Sequence, residues 1–279
     1  MQIELLSAKV WAVNNYYATK TPSGRVFCMG EAIHRHAPSN GLGSNTSIQD
    51  AFNLAWKLAM VLKGRAGERL LDSYDAERAP IAKQIVTRAN KSITETGLIF
   101  KALWMAEGMD PVQMQKNLKT RTEGTPEAEA QREAIRKLIA FRKYEFDAHG
   151  AEMSQRYRSG ALVTDGQIAL AFQLDADLHS HPTTWPGARL PHAWVHRHYT
   201  GAEISTLDLC GQGRFTLLTG LGGEPWVVAA QKVAAKLGIE LAVQLIGPRQ
   251  AHVDHSGEWA RLSEIQDSGC LLACAVLFF

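Results

Sequence analysis

The sequence predicts an α/β protein in two parts, and three observations carry that prediction. A short apolar run from Arg25 to Met29 is followed by a glycine-containing loop and an amphipathic helix, the order of a strand–loop–helix unit. Residues 68–101 and 126–149 have the spacing and composition of helices. Beyond residue 190, a strand, a helix and a second strand follow one another, which implies a right-handed crossover and a parallel pair of strands.

Composition describes a soluble globular protein. The 279 residues suffice for one large domain or two small ones, and 46% are hydrophobic while 21% are charged. A net charge of +2 gives no argument for binding nucleic acid or a membrane. The four cysteines lack CxxC spacing, which suits a reducing compartment, and no apolar run reaches membrane-spanning length. We therefore expect a cytoplasmic protein.

The first element in chain order is a strand predicted over residues 3–19, where side chains alternate between two faces. No partner strand precedes it in this sequence. Without a partner, the strand would leave apolar side chains exposed, namely those of Val10, Trp11 and Val13.

The strand–loop–helix unit covers residues 24–64. The apolar run is expected to be a buried strand ended by Gly30, and Thr46 is expected to be the helix N-cap, with Gln49 completing a capping box. Gly64 is expected to end the helix. One face of the helix is expected to be buried, and its apolar members are Ile48, Phe52, Ala55, Leu58, Ala59 and Leu62.

This unit has the features of a binding site for an anionic or electron-rich group. The first turn of the helix offers unpaired N–H groups and the positive end of the helix dipole. Gly41 and Gly43 allow the backbone to approach a flat ligand closely, Pro38 stiffens the loop, and Glu31 could accept hydrogen bonds from hydroxyl groups. The alternative is an ordinary strand–helix connection whose glycines serve only the turn.

The middle of the chain is expected to be mostly helical. Residues 68–101 form a helix that Pro80 either kinks or divides in two. The helix predicted over 126–149 would bury Leu138, Ile139, Phe141, Tyr144 and Phe146. Residues 155–163 are expected to be a strand that leads to a turn at Asp165 and Gly166.

A linker rich in Pro, His and Asp is predicted from about Asp175 to Pro191, and the domain boundary is placed there. The strands and the helix beyond it are expected at residues 214–218, 225–237 and 239–246. The chain ends in an apolar stretch from Gly269 to Phe279, whose composition favours β-aggregation unless it is buried.

The sequence gives little support for a metal site or a catalytic nucleophile. Histidines have ligand-like spacing at His34 and His36, at His179 and His181, and at His192, His196 and His198. Surface or hydrogen-bonding roles are the default for such histidines, so no metal site is predicted. A nucleophile has no support, because there is no GxSxG elbow and Cys28 lies within an apolar run.

The residues of the loop and the helix resemble a known motif. The stretch Gly30 to His34, then Pro38, Asn40 to Gly43, Asn45, and Asp50 to Leu58 resemble the second flavin-binding motif of FAD-dependent aromatic hydroxylases. Within that family the stretch is most similar to the phenol and 2,4-dichlorophenol hydroxylases. The resemblance implies the C-terminal part of a flavin hydroxylase FAD domain, followed by a thioredoxin-like α/β domain.

The resemblance also implies roles for individual residues. Family members have Gly-Asp where this chain has Gly30 and Glu31, and that carboxylate holds a ribityl hydroxyl of FAD. The loop at Pro38 would pass the reactive edge of the flavin, and backbone N–H groups near Leu42 would face its pyrimidine edge. The longer Glu31 side chain is expected to weaken FAD binding. The implied cofactor-binding residues are Gly30, Glu31, Pro38, Gly41, Leu42, Gly43, Ser44 and Asn45.

The resemblance assigns three regions. Residues 1–23 would be the terminal strand of the substrate-binding sheet, 24–174 the C-terminal part of the FAD-binding domain with a helical extension, and 175–279 the thioredoxin-like domain. That last domain lacks a CxxC pair, so we expect a structural or dimerising role that could make a homo-oligomer.

The GxGxxG turn of the family's dinucleotide unit is not found in these residues, and the glycines at 220–223 do not replace it. The catalytic residues are expected in the family's N-terminal portion, so the chain is expected to be a C-terminal half that is inactive alone. The implied reaction uses FAD, NADPH and O2 to hydroxylate a phenol or chlorophenol ortho to its hydroxyl through a flavin C4a-hydroperoxide. The alternative is a non-catalytic remnant or interaction module.

Overall fold

A computed structural model describes residues 4–10, 12–164, 166, 168, 171–211, 213–265 and 268–273. In the described part the helices are α1 (Leu42–Leu62), α2 (Arg69–Ala102), α3 (Pro111–Thr120), α4 (Pro126–Phe141), α5 (Lys143–Phe146), α6 (His149–Met153), α7 (Thr206–Leu209), α8 (Glu224–Leu237) and α9 (Glu258–Leu262). The strands are β1 (Tyr16–Tyr17), β2 (Pro22–Ser23), β3 (Val26–Phe27), β4 (His34–Arg35), β5 (Trp194–Arg197), β6 (Glu203–Ser205), β7 (Phe215–Thr219), β8 (Leu241–Leu245), β9 (His252–Val253) and β10 (Cys270–Ala273). No helix among these residues is both long enough and apolar enough to cross a bilayer.

The chain divides into two compact units. The first unit comprises Met1–Asp50 and Ala79–Ala148, and the second comprises Ala51–Arg78 and His149–Phe279. In the first unit, β1 pairs with β4 and β2 with β3, both antiparallel. Its buried apolar residues include Ile33, Leu42, Ala82, Ile85, Val86 and Ala89. This unit holds the whole predicted loop from Gly30 to Asn45.

The second unit contains two three-stranded sheets, ordered β10-β7-β8 and β6-β5-β9. β7 and β8 run parallel with α8 between them in sequence, which confirms the predicted strand–helix–strand order. A core cluster fills this unit and is built around Val195, Leu218, Ile246 and Trp259. The predicted boundary near residue 175 and the three predicted regions stay predictions.

The strand predicted over residues 3–19 is wrong in most of its length. Only Tyr16 and Tyr17 form a strand, while residues 4–10 and 12–15 have no regular structure. Alternation of side chains is not enough to make a strand, since each strand also needs a neighbour to receive its backbone hydrogen bonds. Val10 and Val13 are exposed, as expected for an unpaired segment, and Trp11 lies outside the described residues.

The start of α1 also differs from the prediction. The helix begins at Leu42, so Thr46 lies inside it and is buried instead of capping it. A short 3₁₀ turn, Ser39–Gly41, leads directly into the helix, and Asn40 and Gly41 have positive φ angles in that turn. The strand before the loop is only Val26–Phe27, and Val26 is exposed rather than buried.

The buried face of α1 is not the apolar face that the sequence indicates. Ile48 is 54% exposed and Leu62 is 78% exposed, and Ala55 is also exposed. Polar side chains that bond one another can be buried at little cost, whereas hydrophobic periodicity alone does not show which neighbours a helix has. The face that is buried carries Leu42, Thr46, Asp50, Asn53, Leu54 and Lys57.

Further along, α2 confirms the helix predicted over 68–101 and continues through Pro80. The helix predicted over 126–149 is broken near Arg142, and Ile139 and Phe146 are exposed rather than buried. Residues 155–163 form no strand, since their one ladder contact is an isolated bridge from Arg156 to Ala188. Asp165 lies outside the described residues.

The apolar end of the chain is partly described. Residues Cys270–Ala273 form β10, which pairs antiparallel with β7, and this part of the predicted aggregating stretch therefore has a strand partner. Residues 274–279 lie outside the described part of the chain.

Candidate functional site

The candidate site is the loop from Gly30 to Asn45 with the first turns of α1. Gly30 opens a 3₁₀ turn, Gly30–Ala32, with a φ of +63°. A Cβ at this position would lie 3.1 Å from Ser47 Oγ and 3.2 Å from Ser47 Cβ. Both the backbone angle and the close approach of the helix therefore require glycine here.

Glu31 and Pro38 are both exposed. Arg35 bonds the backbone carbonyl of Glu31 at 3.0 Å, while the Glu31 carboxylate makes no hydrogen bond or ion pair with any residue the structure describes. Its oxygens can therefore accept hydrogen bonds from hydroxyl groups of a ligand. Pro38, with a φ of −71°, immediately precedes the turn that leads into α1.

Two side chains anchor this loop. Ser39 Oγ donates to the carbonyl of Ala89 on α2 at 3.0 Å, and Asn40 Nδ2 donates to the carbonyl of Glu145 on α5 at 3.0 Å. Asn40 has a φ of +68°, a conformation that asparagine tolerates better than most residues. The Asn-Gly dipeptide is a recognisable turn signal, but the sequence alone does not indicate its partners.

The N-terminus of α1 is open to a ligand. Gly41 has a φ of +63°, and no heavy atom lies within 4 Å of the place where its Cβ would be. Asn45 Nδ2 donates to Gly41 O at 2.9 Å, and Ser47 Oγ donates to Gly43 O at 3.0 Å.

In the described residues, no side chain accepts a hydrogen bond from the backbone N–H of Gly43 or Ser44. Ser44 and Asn45 are exposed, whereas the side chain of Leu42 is buried at 3% exposure, so only its backbone can serve a ligand. A helix of 21 residues places the positive end of its dipole at these groups. The arrangement can hold an electron-rich oxygen or a developing negative charge.

Two cavities among the described residues lie away from this loop. One, of about 420 Å³, is bordered by residues of the second unit that include Arg197, Arg214 and His252. Another, of about 340 Å³, lies beside Arg121 and Arg132 of the first unit.

A pair of buried residues that the sequence analysis did not assign supports this loop. Asp50 Oδ2 accepts a hydrogen bond from the Gly30 backbone N–H at 3.2 Å and lies 2.8 Å from His34 Nε2. Asp50 is 0% exposed and His34 is 2% exposed. Asp50 lies on the polar, buried face of α1, so a search for apolar periodicity overlooks it.

The histidines are not gathered into a metal centre in the described part of the chain, where no group of three His, Cys, Asp or Glu side chains could hold a metal ion. His34 bonds Asp50, and His36 Nδ1 lies 2.6 Å from its neighbour's carbonyl oxygen at Ala37. These two rings have hydrogen-bonding roles.

Two family models match this chain. The model described as FAD binding domain matches residues 1–89, and the model described as aromatic-ring hydroxylase, C-terminal, matches residues 183–272. The first match contains the entire candidate site.

Individual proteins match over almost the whole chain. A 2,4-dichlorophenol 6-monooxygenase of Delftia acidovorans is 52% identical over 97% of this chain and 46% of its own length. A phenol 2-monooxygenase of Pseudomonas sp. (strain EST1001) is 46% identical over 98% of this chain and 44% of its own length. The structure of the flavin-dependent monooxygenase PieE in complex with FAD and substrate superimposes with a TM-score of 0.89 at 46% identity, over 95% of this chain and 45% of that one. The chain thus spans slightly less than half the length of the relatives it matches.

Proposed function

Because this chain belongs to the family of FAD-dependent aromatic hydroxylases, we propose that it forms the part of a phenol or chlorophenol monooxygenase that holds the flavin ring and the ribityl chain of FAD. The reaction proposed for the whole enzyme takes NADPH, O2 and a phenol and places a hydroxyl group ortho to the existing one. When bound, the reduced flavin supplies the activation of O2.

The residues of this chain have separate tasks in that proposal. The Glu31 carboxylate accepts a hydrogen bond from a ribityl hydroxyl. The backbone N–H groups of Gly43 and Ser44 donate to the pyrimidine edge of the ring, and the dipole of α1 stabilises the negative charge that this edge carries after reduction. Gly41 leaves room for the flat ring, and Pro38 borders its reactive edge.

One observation carries the proposal beyond family membership. The N–H groups that would meet the flavin have no side-chain acceptor in the described residues, and the carboxylate that would meet the ribityl chain has no protein partner either. Buried or organised polar groups normally find partners within a protein. Donors without a side-chain acceptor and a carboxylate without a protein partner, both on the same loop, fit a ligand that has both a carbonyl edge and hydroxyl groups.

Replacing Glu31 with aspartate tests the ribityl contact. The extra methylene of glutamate displaces the carboxylate by about an ångström, which can cost a hydrogen bond worth roughly 1–3 kcal/mol. We expect Glu31→Asp to tighten FAD binding about tenfold and Glu31→Gln to weaken it, measured by quenching of FAD fluorescence on titration with purified protein. Equal affinities for all three proteins would show that Glu31 does not contact FAD.

Turnover separates an enzyme from an interaction module. Since the 279 residues correspond to less than half of these monooxygenases, we expect them to oxidise little or no NADPH in response to a phenol by themselves. FAD binding by the chain supports the flavin role, whereas a chain that forms oligomers without any affinity for FAD would support a non-catalytic interaction module.

A further inference from the structure

The segment from Gly30 to His34 has little regular structure to hold it in place. It consists of one 3₁₀ turn, Ile33, whose carbonyl accepts a hydrogen bond from Ala18 N–H at 2.7 Å, and the first residue of β4; Met29, which precedes the turn, makes no side-chain capping bond. Glu31 lies in the middle of this segment and is exposed. The direction of its carboxylate therefore depends on what fixes the two ends of the segment.

One carboxylate oxygen reaches both ends. Asp50 Oδ2 accepts the backbone N–H of Gly30 at 3.2 Å and is 2.8 Å from Nε2 of His34. Both side chains are almost fully buried, so these hydrogen bonds are shielded from water and are stronger than bonds at the surface. A single side chain of α1 thus clasps the first and last residues of the segment that carries Glu31.

The helix also contacts the segment directly, one turn before Asp50. Ser47 packs on Gly30 so closely that a Cβ on Gly30 would lie 3.1 Å from its hydroxyl oxygen. Ser47 and Asp50 are three residues apart and therefore lie on the same side of α1. The position of Gly30 along the helix axis is set by one packing contact and one hydrogen bond.

We propose that Asp50, with His34, is a positioning residue for FAD: it holds Glu31 at a fixed place relative to the N–H groups at the start of α1. This inference rests on the proposed function, which assigns Glu31 and the N–H groups at the start of α1 to one cofactor site. Asp50 itself is buried and acts through Gly30 and Glu31. Affinity for FAD then depends on a carboxylate that does not touch the cofactor.

The test uses the full 279-residue chain and four variants of it. Asp50→Asn keeps the size of the side chain and removes its charge, and Glu31→Ala removes both carboxylate oxygens and with them the direct contact. The double variant joins both changes. Asp110→Asn is the matched control, because Asp110 is an exposed carboxylate of the same unit that caps α3, and asparagine caps a helix equally well.

The first readout needs no flavin. Asp50→Asn is expected to raise the rate of amide hydrogen exchange at residues 30–34 about tenfold or more. The exchange rates in α2 and α3 should stay as in the unsubstituted chain. Asp110→Asn should leave residues 30–34 unchanged. Unaltered exchange at residues 30–34 in Asp50→Asn, with flavin binding intact, would overturn the positioning role and leave the proposed function standing.

The second readout is a double-mutant cycle in FAD affinity, corrected for the folded fraction of each variant. If Asp50 acts through Glu31, Asp50→Asn weakens FAD binding about tenfold in the unsubstituted chain and has little further effect when Glu31 is already alanine. Equal losses in both backgrounds would overturn the inference, since a general loss of structure acts alike in each. Absence of FAD binding by every protein, the unsubstituted chain included, would refute the proposed function and the positioning role together.

Discussion

Replacing Lys57 with methionine would disrupt a buried network in the second unit. Lys57 Nζ, with 0% side-chain exposure, lies 2.6 Å from Glu77 Oε2 and donates to Asn53 Oδ1 at 2.8 Å. Glu77 also accepts hydrogen bonds from Asn53 at 2.8 Å and from Ser159 at 2.7 Å. These contacts join α1, α2 and the segment at Ser159. Methionine has a similar length but brings neither the charge nor the donors.

The expected cost follows from what the substitution leaves behind. Glu77 keeps two neutral donors but loses its counter-charge at a site with 6% side-chain exposure. Removing one partner of a buried pair typically costs about 3–5 kcal/mol, because the other charge remains buried without compensation. At roughly 2–4 °C per kcal/mol for a protein of this size, the melting temperature should fall by about 6–20 °C.

Thermal and urea unfolding followed by circular dichroism would measure this loss. Lys137→Met is the matched control, since Lys137 is 75% exposed and lies 3.8 Å from Glu133, a pair expected to contribute about 0.5 kcal/mol or less. Adding Glu77→Gln to Lys57→Met should restore a large part of the stability, because glutamine can still bond Asn53 and Ser159 without a charge. A loss below about 1 kcal/mol for Lys57→Met, or no recovery in the double variant, would refute this reasoning.

Three further predictions concern the second unit. Burial lowers the pKa of His252 below its ordinary 6.5, so the unfolded chain binds the proton more readily than the folded chain. The free energy of unfolding should therefore fall as the pH drops below about 6.5, and His252→Asn should flatten that part of the acid unfolding curve. Burial raises the pKa of the Cys210 thiol to about 12. At about pH 8 a thiol reagent should therefore modify Cys210 no faster than the protein unfolds, and rapid labelling of the native protein would contradict this. A Cβ at Gly150 would lie 2.1 Å from the carbonyl oxygen of Ala176, so Gly150→Ala should cost about 1–3 kcal/mol in urea unfolding, whereas Gly160→Ala, with nothing within 4 Å, should stay within about 0.5 kcal/mol.

At the candidate site, local sequence predicts some features of the backbone and not others. Gly30, Asn40 and Gly41 are residue types that tolerate positive φ angles, and all three have positive φ angles in the structure. The sequence predicts that α1 begins at Ser47, five residues later than it does, because Thr46 and Gln49 have the form of a capping box although Thr46 lies within the helix. A capping pattern is local, and a helix extends past it when the preceding residues can also adopt helical angles.

The residues that support the site could not be found in this way. Asp50 bonds a backbone group 20 positions earlier, and Asn40 bonds a carbonyl 105 positions later. Neither spacing has a periodic signal, so local patterns indicate neither of these hydrogen bonds. The resemblance to aromatic hydroxylases indicated the family, which the comparisons confirm, while the partners of each residue came only from the fold.

By itself, the sequence determined the family, the long helix after Arg69, the parallel strands on either side of α8, and the loop that is proposed to hold a flavin, because each depends on residue type and on neighbours close in the chain. Only the tertiary structure decided which face of α1 is buried, that residues 4–10 and 12–15 form no strand, and that Asp50 clasps the segment carrying Glu31. Burial and hydrogen bonding are properties of contacts between distant segments, so apolar periodicity can indicate a helix without showing what will cover it.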